Sequence, residues 1–108
     1  MRTVLVTGAT GFIGRQTLVP LLGSGFEVHA TCRDMSRAIA LDGITWHRLD
    51  LLDPGAVARL VSELRPHTLL HMAWGMEHSR VWHGLENLDW LAASVQLFRH
   101  FTASVSLG

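Results

Sequence analysis

Apolar residues fall along this chain in short continuous runs separated by turn residues, alternating with longer amphipathic stretches. Arg2–Thr7 is β-branched and almost unbroken in apolar character, the pattern of a strand buried on both faces. Gly11–Leu22 reads as a helix with Phe12, Ile13, Leu18, Val19 and Leu22 inward, and Pro20 within it predicts a kink or a shortening. Gly23-Ser24-Gly25 ends it. Phe26–Cys32 follows as a second strand, Met35–Leu41 as a short helix and Ile44–Leu49 as a third strand. Asp53-Pro54 supplies an N-cap and a first-turn proline for a helix running to about Leu64, closed by Pro66. Thr68–Met72 is a fourth strand. After a Trp- and His-bearing stretch, Ala73–Leu85, the longest helical pattern covers Glu86–Ala103 with Leu88, Leu91, Val95, Leu97, Phe98 and Phe101 apolar, and Ser104–Leu107 suits the start of a fifth strand.

This alternation implies right-handed crossovers and a parallel sheet with helices on both faces. The expected class is α/β, the first half of a doubly wound (Rossmann) fold with strand order 3-2-1-4, in one unit spanning 1–108.

The junction between the first strand and the first helix carries the strongest chemical signal. Thr7-Gly8-Ala9-Thr10-Gly11-Phe12-Ile13-Gly14 places three glycines at fixed spacing directly after a strand. In that context Gly8 permits the tight turn, Gly11 lets backbone approach a pyrophosphate, and Gly14 allows close helix packing. The N–H groups and positive end of the following helix then face the anion. Gly8, Thr10, Gly11, Phe12, Ile13 and Gly14 are therefore the expected dinucleotide contacts.

Composition narrows the function classes. Apolar residues make up 48% of the 108, enough for a core. Nine basic residues balance nine acidic ones, so no net field recruits nucleic acid or an anionic membrane. No apolar run reaches a membrane span and no signal peptide is legible. A single cysteine, Cys32, excludes an intrachain disulfide and suits a cytoplasmic setting. His71, His78 and His83 lack partners at metal-ligand spacing, so no metal is expected, and His71 reads as a near-core histidine. Trp74 and Trp82 suit either sugar contact or loop packing. Cys32, with only Arg33 nearby to lower its pKa, reads as inert.

The chain resembles the extended short-chain dehydrogenase/reductases, in their nucleotide-sugar epimerase/dehydratase branch, over the N-terminal part of that fold. The glycine segment carries the likeness. Asp50-Leu51 resembles the acidic pair that meets the adenine ring, and His71-Met72-Ala73-Trp74 resembles the segment lining the pyrophosphate and nicotinamide-ribose side, which brings in Ala73. Asn87 matches a structural Asn. The stretch Val81-Trp82 through Asn87 to Ser94 resembles nucleotide-sugar reductases more than plant-type reductases or simple sugar epimerases. The resemblance implies hydride exchange between a nicotinamide and a sugar carbonyl or carbinol. The family's proton-transfer pair is Tyr-x-x-x-Lys, expected beyond these residues, and this sequence has no Tyr and, its nine basic residues all being Arg, no Lys. Arg cannot deprotonate to stand in. This chain alone is expected to be inactive: the cofactor-binding half of an enzyme, or else a non-catalytic dinucleotide module or sensor. The resemblance also implies a helix seam on Glu86–Ala103; the fourth strand, Thr68–Met72, left at a sheet edge, and the stripe Leu88, Leu91, Val95 and Phe98 lead us to expect self-association or pairing with a C-terminal half.

An NAD site places an acid at the end of the second strand. Here Cys32 stands there, followed by Arg33, with Arg37 four residues on. A neutral Cys and an Arg fork favour the 2′-phosphate of NADP. Asp34 keeps NAD open, since a one-residue shift makes it the ribose acid.

Overall fold

The computed structural model describes residues 2–73 and 86–106. Their contacts fall into two compact units, one of residues 2–49 and 66–73, the other of residues 50–65 and 86–106.

The first unit is a four-stranded parallel sheet. Its strands are β1 (Thr3–Thr7), β2 (Glu27–Cys32), β3 (Ile44–Arg48) and β4 (Thr68–His71), in the order β3-β2-β1-β4. Register pairs Leu5 with His29 and Leu69, and Cys32 with Arg48. The expected strand order is therefore the observed one, and each strand lies within a residue of its expected bounds. Strand alternation sorts the side chains. Val4, Val6, Val28 and Ala30 share one face and form a core with Ala9 and Leu18. Leu21, Leu22, Phe26, Ile39, Leu41, Ile44, Trp46, Leu70 and Met72 pack around it. Leu5, Thr7, His29 and Thr31 on the opposite face are buried as well, which explains the nearly continuous apolar run of β1.

The segment after β1 departs from the expected helix. A 3-10 turn over Gly14–Thr17 precedes a six-residue helix α1 (Leu18–Gly23). Pro20 accounts for the division. It has no N–H and its ring collides with the carbonyl four residues earlier, so an α-helix tolerates it only in the first turn. Starting α1 at Leu18 puts it there. The tighter turn before α1 also rotates the faces. Leu18 is fully buried as expected, but Phe12, Ile13 and Val19 are exposed rather than inward. The expected helix at Met35–Leu41 shrinks to a 3-10 turn, Met35–Arg37, capped by Asp34. Ala38 is extended, and Ile39 and Leu41 then reach the core as irregular chain.

The second unit pairs α2 (Pro54–Leu64) with α3 (Glu86–Ser106). Asp53 caps α2, its carboxylate accepting the Ala56 N–H at 3.2 Å, and Arg65 leaves the helix in the left-handed region just before Pro66. α3 overrides the expected fifth strand, since it runs through Ser104 and on to Ser106; Leu107 lies outside the described residues. Two of its hydroxyls bond back to the helix. Thr102 donates to the Phe98 and Arg99 carbonyls, and Ser104 to that of Phe101. On α3, Leu97 is buried, whereas Leu88, Leu91, Val95 and Phe98 are exposed.

Leu18 is the one residue of α1 that is fully buried, so it anchors the turn to the sheet. Leu18→Ala should cost about 2–5 kcal/mol in urea unfolding. A loss below about 1 kcal/mol would mean that α1 does not hold the turn in place.

Candidate functional site: a glycine turn at the end of β1

The turn is built from the chain's closest approaches. Gly8 leaves β1 with φ +69°, and a Cβ there would lie 2.6 Å from the Met72 carbonyl carbon and 2.7 Å from the Ala73 nitrogen. The Gly8 carbonyl then accepts the Gly11 N–H at 3.1 Å, and a Cβ on Gly14 would lie 1.9 Å from that same oxygen. Gly14 is thus demanded by the turn folding on itself rather than by helix-on-sheet packing. Gly11 differs. A Cβ there would meet only the Gly8 oxygen, at 3.3 Å, so its outer side is open. Thr10, Phe12 and Ile13 sit on the rim of this turn. The N–H groups of Phe12 and Ile13 take no partner among the described residues. Because regular α-helix begins only at Leu18, these turn amides, and not a long helix's first turn, are the donors available to an anion.

The exit of β4 packs directly on this turn. Thr7 is fully buried, and its Oγ1 accepts the N–H groups of Met72 at 3.1 Å and Ala73 at 3.3 Å while hydrogen-bonding His71 Nδ1. Burial lowers the His71 pKa below its ordinary 6.5, favouring the neutral ring. Ala73 is thereby held beside Gly8, so the glycine segment and the β4 exit form one feature. Thr7 and Met72 were not among the expected contacts. The signal for Thr7 was a polar residue at the end of an otherwise apolar strand.

At the end of β2, Cys32 is buried and its thiol donates to Met35 Sδ at 3.3 Å. Burial first, and the charge of Asp34 second, push its pKa up, in line with an unreactive thiol. Arg33 and Arg37 are exposed. Asp34 is engaged locally: Oδ1 accepts the Ser36 hydroxyl at 2.7 Å and the Ser36 N–H at 3.0 Å. Those bonds, aided by the charges of Arg37 and Arg48, hold its pKa below the usual carboxylate value. Arg48, the register partner of Cys32, adds a third cation that sequence reading missed, because only strand pairing brings it to β2.

Asp50 and Leu51 belong to the second unit. Asp50 is exposed and its Oδ1 accepts the Leu52 N–H at 3.0 Å. Leu51 is buried and lines a cavity of about 390 Å³ with Pro54, Val57, Asp89, Ala92 and Gln96. Trp74, His78, Trp82 and His83 lie outside the described residues. Among those described, no group of three or more His, Cys, Asp or Glu is placed to hold a metal, and no helix is long and apolar enough to cross a membrane.

The three glycines should separate by experiment. Gly14→Ala must displace backbone and should cost at least ~2 kcal/mol, as overpacking does. Gly11→Ala needs the Gly8 oxygen, 3.3 Å from the new Cβ, to give by only a few tenths of an ångström and should cost less, about 1 kcal/mol. Equal losses in chemical denaturation would contradict the turn geometry.

Comparison with known proteins places this geometry. Residues 4–98 match the NAD dependent epimerase/dehydratase family. UDP-glucose 4-epimerase 4 of Oryza sativa subsp. japonica is 33% identical over 84 residues, which is 67% of this chain and 23% of that protein. Dihydroflavonol 4-reductase of Zea mays is 47% identical over 58 residues, covering 54% of this chain and 15% of that one. The crystal structure of the Thermus thermophilus UDP-glucose 4-epimerase in complex with NAD superposes with a TM-score of 0.80 at 27% identity, covering 94% of this chain and 34% of that one. The chain thus spans about a quarter of the length of the first of these relatives. It belongs to the NAD dependent epimerase/dehydratase family.

Proposed function

We propose that this chain is the dinucleotide-holding part of an enzyme that acts by hydride transfer on a nucleotide-linked sugar. The observation that carries the reading is the glycine turn. It is closed where Gly8 and Gly14 meet backbone and open at Gly11, and it presents the N–H groups of Phe12 and Ile13. That is a cradle for a pyrophosphate and suits no side chain of its own. When bound, the nicotinamide supplies or accepts the hydride. The residues of this chain hold it: Gly8, Thr10, Gly11, Phe12, Ile13 and Gly14 on the pyrophosphate and Ala73 toward the nicotinamide ribose. The sugar substrate rests on the epimerase match, which runs over 84 residues against 58 for the reductase.

NADP is the cofactor we favour over NAD. Cys32 offers no carboxylate at the end of β2, and the Asp34 carboxylate that could replace it is already bonded twice by Ser36. Arg33 and Arg37 remain exposed for a 2′-phosphate, which a planar guanidinium fork fits.

A second reading, a dinucleotide-binding module without catalysis, rests on a different observation. These 108 residues contain no Tyr and no Lys, so within them nothing plays the family's proton donor.

Calorimetric titration tests the proposal. The chain should bind NADPH more tightly than NADH, and Arg33→Ala should weaken NADPH by ~1.5–3 kcal/mol while sparing NADH. A uniform loss would assign the ribose to Asp34 and NAD. No binding of either cofactor would sink the reading.

A further inference from the structure

The C-terminal ends of β1, β2 and β3 lie side by side on one edge of the parallel sheet, the edge at which such sheets receive ligands. The end of β1 is the glycine turn. The end of β2 is Cys32, followed by Arg33 and Asp34 on the way to the 3-10 turn Met35–Arg37. The end of β3 is Arg48, whose side chain is exposed. Register sets Arg48 opposite Cys32, and the Leu49 N–H donates to the Cys32 carbonyl at 2.9 Å, so the pairing runs past the last residue of β3. Alternation fixes the face as well as the row. Val28, Ala30 and Cys32 leave one side of β2, and Ile44, Trp46 and Arg48 leave the same side of β3. Arg48 therefore departs one strand spacing, about 4.8 Å, from the position at which an acid would meet the adenosine ribose.

Charge at this corner is out of balance. The Ser36 hydroxyl and N–H, and behind them the charges of Arg37 and Arg48, hold the Asp34 pKa below its ordinary value. Both guanidinium groups thus stand close enough to act on that carboxylate. With Arg33 next to it in the chain, three cations face one anion. A ribose hydroxyl does nothing to offset the excess. A phosphomonoester, which carries about −1.5 to −2 near neutral pH, does.

We propose that Arg48 is a specificity-determining residue of the dinucleotide site: from the end of β3 its guanidinium takes the 2′-phosphate of NADP together with Arg33 from the turn after β2. The proposal rests on the reading of the glycine turn as a dinucleotide cradle. The two arginines differ in what holds them. Arg33 lies in the bend that follows β2, whereas Arg48 belongs to a strand whose backbone is bonded to β2 on both sides of it. A side chain carried by a strand starts from a fixed point, so less freedom is lost when the phosphate is bound.

Calorimetric titration of NADPH and NADH into the full chain tests this, with Arg48→Gln set beside Arg33→Ala. Gln keeps part of the stem of an exposed side chain and removes the charge. Arg48→Gln should weaken NADPH at least about tenfold, the loss of one charge-assisted hydrogen bond, and leave NADH unchanged. Arg48→Lys, which keeps the charge without the planar fork, should lose less than Arg48→Gln. Arg48→Glu should reverse the preference, so that NADH binds more tightly than NADPH. In the parent chain the Arg48 Nε–H resonance should shift on addition of NADPH and stay in place with NADH, which decides the matter should the variants not fold. Equal weakening of both cofactors in Arg48→Gln would mean that Arg48 acts only through Asp34 or the strand end, and would overturn the inference. So would an unshifted Arg48 resonance or an unchanged NADPH affinity; with a selective loss in Arg33→Ala, that result leaves the dinucleotide reading standing. If neither cofactor binds the parent chain, the inference and the reading fall together.

Discussion

The carbonyl of Gly8 governs this structure. It is the acceptor that closes the turn from Gly11, and it occupies the space in which a side chain at position 14 would have to sit. One residue earlier the chain is still in β1, whose last four residues are buried; on the other side of Gly8 lies the backbone of Met72 and Ala73. Three segments therefore meet with no side chain between them. Interiors pack near crystal density, so such a contact has no slack to absorb a methyl group. The turn, the start of α1 and the exit of β4 are fixed by that one contact, and what remains open is the outer side of Gly11.

Charge is distributed unevenly around that geometry. The turn itself carries no charged side chain and relies on backbone N–H dipoles, which suits an anion of fixed shape. The end of β2 does carry charge: Arg33 and Arg37 are exposed, Arg48 comes in from β3, and the lone carboxylate, Asp34, is tied to Ser36. The separation of roles follows from burial. Thr7 is buried in the sheet and His71 is half-buried, while the cations stand in water, where holding a charge costs little.

The strand order and the glycine turn were legible from residue patterns, because parallel strands buried on both faces read as unbroken apolar runs and three glycines at this spacing have few other uses. What escaped reading has identifiable causes. Helical periodicity put Phe12, Ile13 and Val19 inward, but Pro20 delays the α-helix to Leu18 and the tighter turn ahead of it changes which residues face the core. Ser104–Leu107 looked like a strand start, yet the Ser104 hydroxyl bonds back to the Phe101 carbonyl and α3 continues to Ser106. Arg48 beside Cys32, and the partnership of Thr7 with His71, depend on strands far apart in the chain pairing with each other, which no local pattern encodes. Gly14 was read as making room for helix packing, and the nearest atoms a side chain there would meet are those of Gly8 and Ala9.

The claim that the turn is a dinucleotide cradle is tested most directly by mapping backbone amide shifts as NADPH is titrated into the isotope-labelled chain. The account predicts saturable shifts concentrated at Gly8 through Gly14, at Ala73 and at Arg33. Shifts confined to the cavity lined by Leu51 and Gln96, or a spectrum unchanged at millimolar cofactor, would contradict it.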